Sequence, residues 1–228
     1  MRMFDFSNPI ELHKDLNPKL WIKGKLRPEV KKTLLNLASV YYKFLETDAT
    51  LVDVVITGSQ ANYNFTDQSD LDLHLILPFD DVICDLDVTE YFETKRKLWK
   101  LQHNVTIYNI PVELYAEDLS KPAVSAVYSI IDDKWRKKPR PPILDYDTVA
   151  VKAETERWSK IIDGAIKSKN FDMLGHVRDM VSRYRKDGLA KEGEFGVANL
   201  TFKSLRNSGK IQHLMAALRN SEDKELSL

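Results

Sequence analysis

Two aspartates, Asp70 and Asp72, interrupt the leucine-rich run "SDLDLHLIL". Alternate side chains of a β-strand share a face. Asp70, Asp72 and His74 therefore point one way, and Leu71, Leu73 and Leu75 the other, toward a core. The aspartates stand one pleat repeat apart, about 6–7 Å between Cα atoms, so both can reach one divalent cation. Like charges at that separation repel, and without a counter-charge one carboxyl holds a proton. Mg²⁺ (or Mn²⁺) removes the conflict, because it takes oxygen ligands and keeps one or two protein carboxylates alongside water and substrate phosphates. Glu113, in "PVELY", sits between Val112 and Leu114 and opposes an apolar face in the same manner. If its strand neighbours that of the aspartates, the three acids converge. Two metal ions can then bridge them and a triphosphate during an in-line displacement.

Upstream, Gly58 and Ser59 end the β-branched run "TLVDVVIT". Glycine lets backbone approach a phosphate, and a serine hydroxyl with nearby N–H groups can bind its oxygens. A phosphate loop facing carboxylate-held metal is the layout that nucleotidyl transfer needs.

"GS", ten residues, "DLDL" and a later "VEL" resemble the signature of the nucleotidyltransferase superfamily, which includes DNA polymerase β, poly(A) polymerases, antibiotic adenylyltransferases and the small MNT-type proteins. Ser69, just before Asp70, matches as well, and the likeness covers about residues 51–118. The segments "KLWIKGKLRPEVKKTLL", "VELYAED" and "NLTFKSLRNSGKIQHL" further resemble uncharacterised predicted nucleotidyltransferases of tailed bacteriophages, a likeness that brings no substrate with it. The resemblance implies an α+β fold, a polymerase β-like mixed sheet flanked by helices, followed by a helical C-terminal part. It makes Asp70, Asp72 and Glu113 the catalytic, metal-binding triad. It gives Gly58 and Ser59 the β- and γ-phosphates, with Ser69 and Lys203 also on the nucleotide, and lets the C-terminal helices clamp nucleotide or acceptor. The family moves a nucleoside monophosphate from an NTP to a hydroxyl and releases pyrophosphate, and in many members the third acid helps deprotonate that hydroxyl.

Plainer readings stand beside these. Alone, Asp70 and Asp72 are the wet face of an amphipathic strand; the upstream Gly-Ser and downstream V-E-L favour the metal site. His74 reads as a hydrogen-bonded structural histidine, since this chemistry wants oxygen ligands. Asp67 reads as a turn residue, and Asp53 is not assigned to the site. The basic run Lys134, Arg136, Lys137, Lys138 and Arg140 reads as solvated linker, with guidance of a polyanion as the alternative. Lys203 and Arg206, one helical turn apart and opposite Leu200 and Leu205, either hold a triphosphate or form an exposed helix face. Trp and Tyr residues at helical spacing read as core.

The elements that must position these residues follow from periodicity. Val30, Leu34, Leu37, Ala38, Tyr41 and Leu45 recur at helical spacing between Arg27 and Glu46, with Pro28 in the first turn. Pro78 ends the aspartate strand. Val88 to Gln102 reads as a helix with Tyr91, Phe92 and Leu98 toward the core. "HNVTIYNIPVELYAED" reads as a hairpin, with Val105, Ile107 and Tyr108 in one arm, Asn109 at the turn and Val112 to Tyr115 in the other. "DDKWRKKPRPPILDYD" reads as a domain boundary. Beyond it lie one helical stripe of Trp158, Ile161, Ile162 and Ala165, another of Phe171, Leu174, Val177, Val181 and Tyr184, and a final pair over Val197 to Arg206 and Lys210 to Arg219. The expected plan is a core with N-terminal helix over 1–145 and a helical domain over 146–228.

The chain of 228 residues is 43% hydrophobic, enough for a real core. Its 34 basic residues balance 34 acidic ones, whereas chains that hold duplex nucleic acid mainly through phosphates carry a basic excess. Any nucleic-acid contact is expected to be local. A single cysteine, Cys84, excludes an internal disulfide or a cysteine zinc site. No stretch reads as a signal peptide or membrane span, so no membrane partner is expected and the location is a reducing cytoplasm, the host's if the chain is phage-encoded. The expected partners are an NTP and an acceptor left open among RNA, protein and small molecule, since surfaces outside the motif choose it. The alternatives to an enzyme are a nucleotide- or partner-binding protein on the same fold, sequestering without turnover, and an antitoxin-like subunit that docks through its helical part.

Overall fold

A computed structural model describes residues 12–82, 87–123, 125–140 and 146–227. Their contacts fall into two units, 12–140 and 146–227. Residues 1–11, Cys84 and the 141–145 stretch, where the domain boundary is expected, lie outside the described residues. Among the described residues the chain is mixed α and β, with six α-helices and a mixed six-stranded sheet. No described helix is long and apolar enough to cross a membrane.

The first unit opens on a small hairpin, β1 (Trp21–Ile22) with β2 (Lys25–Leu26), turning through Lys23 and Gly24 at positive φ. Helix α1 (Pro28–Leu45) follows, with proline in its first turn, Glu29 at its positive end and Glu46 in the left-handed conformation closing it. Its buried stripe is Val30, Leu34, Leu37, Ala38, Tyr41 and Leu45, as the spacing predicts.

Strand β3 (Asp53–Thr57) and strand β4 (Leu71–Leu77) pair antiparallel. Helix α2 (Val88–Gln102) and the short β5 (Thr106–Ile107) carry the chain back to β6 (Ile110–Asp118), which runs parallel to β4. That parallel pairing needs a crossover of this kind. β5 and β6 form the expected hairpin, but Tyr108 joins Asn109 in the turn, both at positive φ, rather than extending the first arm. In α2 the core residues are Phe92 and Trp99, while Leu98 is 43% exposed. Phe92 and Trp99 lie seven residues apart on one stripe, and Trp99 meets Tyr41 and Phe44 of α1 edge-on at 5.2 Å.

Two strands were not expected. β7 (Val127–Ser129) pairs with β3, and β8 (Lys134–Lys137) pairs with β7, giving the order β5-β6-β4-β3-β7-β8. The basic run is thus an edge strand over Lys134–Lys137 rather than linker. Trp135 inside it stacks on Trp21 at 5.0 Å and donates its indole N–H to the Gly24 carbonyl at 2.9 Å. Arg136 meets the buried Asp53 carboxylate at 3.2 Å, which also accepts from the Ser129 hydroxyl at 2.7 Å. Asp53 therefore ties β3, β7 and β8 together at the end of β3 away from Thr57.

The leucine face of β4 behaves as the alternation predicts: Leu71, Leu73, Leu75 and Leu77 are fully buried, each worth about 1.5–3 kcal/mol. On the other face His74 stacks on Tyr115 at 4.5 Å and bonds Glu117 through Nδ1 at 2.7 Å.

The second unit is helical. Asp147 and Asn170 cap α3 (Thr148–Ser168) and α4 (Phe171–Glu192) by accepting the N–H of Ala150 and Met173, each at 2.8 Å. α5 (Val197–Asn207) and α6 (Lys210–Glu225) follow, separated by Gly209, and α6 runs past Arg219. Trp158, Ile162, Ala165, Leu174, Val177, Val181, Leu205, Leu214 and Leu218 form the core. α5 packs against α3, α4 and α6. Its approach to α4 is close: a β-carbon at Gly188 would stand 2.2 Å from that of Ala198.

Two outcomes are expected from this architecture. Gly188→Ala should lower the urea midpoint, because overpacking of about 1–3 kcal/mol exceeds the roughly 1 kcal/mol that alanine gains over glycine in a helix; Ala198→Gly in the same chain should recover much of the loss. The second concerns Glu117. Burial works to raise its pKa, but the hydrogen bond and charge of His74, with Lys121, draw it from 4.5 down to about 2. A carboxyl lowered on folding stabilises the fold fully above its unfolded value and loses that share as pH falls through the folded value. The stability advantage of the native chain over Glu117→Gln, followed by denaturant midpoints, should be full just above pH 4.5 and should be lost as pH falls through about 2.

Candidate active site

Strand register gathers the acids. Across the antiparallel pair Thr57 faces Asp72, and across the parallel pair Asp72 faces Glu113. Neighbouring strands lie about 4.8 Å apart, so the backbones carrying Asp72 and Glu113 are as close as two strands can be. Asp70 immediately precedes β4 and lines, with Glu113, a cavity of about 220 Å³. Gly58, the residue after β3, sits against the Asp72 carboxylate: a β-carbon there would stand 2.0 Å from Asp72 Oδ2. Its backbone, at φ 71° and ψ −157°, occupies a region open essentially to glycine alone. Ser59 then begins a single 3-10 turn, Ser59–Ala61, and is half-buried.

The carboxylate of Glu113 is held on both oxygens. Lys100 of α2 donates to Oε1, and the Tyr115 hydroxyl donates to Oε2 at 2.6 Å. Burial acts to raise the Glu113 pKa, but these two donors outweigh it and keep the carboxyl below the ordinary glutamate value. Tyr115 shifts the opposite way, pushed up by burial, by the charge of Asp72 and by its bond to Glu113. Its ring lies under the Arg96 guanidinium at 5.0 Å, and Arg96 is itself fixed by Glu93 at 2.8 Å.

The loop between β3 and β4 is pinned by Gln60, which is 1% exposed. Its side-chain oxygen accepts from Asn17 at 2.9 Å, its amide donates to the Ser69 carbonyl at 3.1 Å, and its own carbonyl accepts the Trp21 indole N–H at 2.7 Å. Ser69, expected on the nucleotide, is 1% exposed, and its hydroxyl accepts the Thr66 N–H at 2.9 Å. It closes the turn containing Asp67. Lys203 belongs to the helical unit and is 4% exposed, with Ala198, Leu200, Thr201 and Leu205 buried on the same helix. The exposed helix face offered as one reading of Lys203 and Arg206 is not formed, because Lys203 is buried on α5. His74 has the structural hydrogen bond expected of it.

Pattern reading missed Lys100, Arg96, His103 and Tyr115. A signal existed: Arg96 and Lys100 follow i, i+4 spacing on one face of α2, and His103 continues it at i+7 just past the helix end. Trp99 stacks on His103 at 3.8 Å beside that face.

Among the described residues no three His, Cys, Asp or Glu side chains are grouped so as to hold a metal ion as they stand. The donor set nevertheless fits one in kind. Three carboxylates approach from β4 and β6, a glycine leaves room at Asp72, and the Glu113 oxygens are occupied by Lys100 and Tyr115 rather than turned away by the backbone. Hard oxygen ligands of this type suit Mg²⁺ or Mn²⁺. No protein-family model matches the chain, and no curated protein or solved structure matches it.

The Gly58 contact is directly testable. Gly58→Ala should destabilise the chain by about 1–3 kcal/mol from backbone strain alone, with a further loss from the Asp72 contact. Adding Asp72→Ala should restore the contact share and leave the backbone share, read as the difference in denaturant midpoints.

Proposed function

We propose that the chain is a metal-dependent nucleotidyltransferase that moves a nucleoside monophosphate from an NTP to a hydroxyl acceptor and releases pyrophosphate. The observation that carries this reading is the register placing Thr57 beside Asp72 and Asp72 beside Glu113, with Gly58 pressed on the Asp72 carboxylate. The parallel β4–β6 pair beside the antiparallel β3 supports a polymerase β-like nucleotidyltransferase fold.

On this reading Asp70, Asp72 and Glu113 would hold Mg²⁺ or Mn²⁺, which when bound neutralises the triphosphate and polarises the reacting phosphate. Gly58 and Ser59 bring backbone and hydroxyl against the β- and γ-phosphates. The acceptor oxygen attacks the α-phosphorus, the bond from that phosphorus to the bridging oxygen breaks, and pyrophosphate carries away the electron pair. Glu113 would take the hydroxyl proton, and because Lys100 and Tyr115 lower its pKa and occupy its oxygens, it becomes a stronger base when Lys100 leaves it.

A second reading is favoured by the Lys100–Glu113 ion pair: the fold binds a nucleotide without turnover, the third acid being occupied by the chain's own cation. Incubation with each α-labelled NTP, Mg²⁺ or Mn²⁺, and separate RNA, protein and small-molecule fractions of a cell extract distinguishes the two. Transfer of label should fall to below about one part in a hundred in Asp70→Asn/Asp72→Asn. Label surviving the double substitution overturns the metal role. NTP binding by calorimetry with no pyrophosphate released on any fraction selects the second reading.

A further inference from the structure

The cavity of about 220 Å³ beside Glu113 has a composition that the three acids do not account for. Asp70 and Glu113 line it together with Arg96 and Lys100 of α2 and with His103, the residue that follows α2. Trp99 adds an aromatic wall. Acidic and cationic or protonatable groups therefore share one space, and Lys100 joins them through its bond to Glu113. Its ammonium bonds the Glu113 carboxylate; the lysine side chain is 67% exposed and the glutamate 21%, so the pair is open to solvent from the lysine side. A competing anion can reach Lys100 from there. The Glu113 carboxylate left behind still has Tyr115 on Oε2 and the charge of Arg96 nearby, and a divalent cation would replace the ammonium it has lost.

Resting on the nucleotidyltransferase reading, we propose that this cavity receives an acceptor bearing a phosphate group, and that Lys100 passes from Glu113 to that phosphate, releasing Glu113 to join Asp70 and Asp72 around the divalent cation. Arg96 and His103 complete the anion's surroundings. Acceptor and metal then bind with positive coupling, because each removes the charge that opposes the other. A metal site assembled only when acceptor is present also limits wasteful hydrolysis of the NTP by water.

Mn²⁺ binding to the full chain tests the coupling without any turnover. Mn²⁺ affinity is measured by calorimetry alone, with ribose 5-phosphate, and with a short oligoribonucleotide, correcting for Mn²⁺ bound by each probe in buffer. The native chain should bind Mn²⁺ about 5-fold or more tighter with a phosphate probe present. Tightening by both probes assigns a free phosphorylated small molecule as sufficient, and tightening by the oligonucleotide alone assigns the phosphate to a nucleic-acid end. Lys100→Met should bind Mn²⁺ more tightly than the native chain without any probe, and the probes should add nothing. Glu113→Gln in the Lys100→Met chain should cancel that gain. If Lys100→Met tightens Mn²⁺ binding but neither probe affects the native chain, the acceptor assignment is overturned while the metal site stands. If neither the native chain nor Lys100→Met binds Mn²⁺, the metal reading of the three acids falls as well.

Discussion

Strand β3 can end against Asp72 because residue 58 has no β-carbon. Any side chain there would overlap the carboxylate, and the positive φ at Gly58 turns the chain so that the following 3-10 turn leaves the sheet at once. This close approach sits at the Thr57–Asp72 pair, next to the register that sets Asp72 beside Glu113. The loop that follows is tied by the buried amide of Gln60, reaching Asn17 on one side and Ser69 on the other, and by the turn that Ser69 closes with Thr66. The segment before Asp70 is therefore anchored by side chains, though it has no regular structure of its own.

Charges can gather at this end of the sheet because apolar burial outweighs them. The four leucines of β4 together contribute on the order of 6–12 kcal/mol. Two carboxylates about 6–7 Å apart repel by on the order of 1–3 kcal/mol at intermediate dielectric. Local compensation lowers the repulsion further: Lys100 and Tyr115 on Glu113, Arg96 above Tyr115. The opposite end of the sheet is handled differently, with Asp53 buried under Ser129 and Arg136 as a satisfied polar tie. One carboxylate end is built for rigidity, and the other keeps its countercharge on a solvent-facing lysine.

Much of this was legible in the sequence where one element decides the outcome. The α1 stripe and the alternation of β4 follow from period alone, because each buries one face against a single core. Glu113 beside Asp72 was legible as a condition, since its flanking Val112 and Leu114 fix its face but not its neighbour. What escaped depends on distant contacts. Leu98 and Trp99 compete for the same face of α2, and the ring contacts of Trp99 with Tyr41 and Phe44 decide it. The composition of Lys134–Lys137 suggests linker, while the stacking of Trp135 on Trp21 makes it a strand. Two basic residues one turn apart suggest either a triphosphate-holding or an exposed face for Lys203, whereas its side chain is buried on a helix packed by three others. The bond from the Thr66 N–H to the Ser69 hydroxyl lies in a turn with no pattern of its own.

The two outer strands of the sheet also differ in kind. β5 has only two residues, too few to template another chain. β8 is longer, but its exposed positions are Lys134, Arg136 and Lys137. Unsatisfied edge hydrogen bonds invite a second copy to add its own strand, and charged side chains, which must be desolvated when a strand docks, oppose this. Lys134, Arg136 and Lys137, the first two paired with Asp132, thus guard the open margin of the sheet in a chain whose overall charge is zero and which has no net repulsion to keep its copies apart.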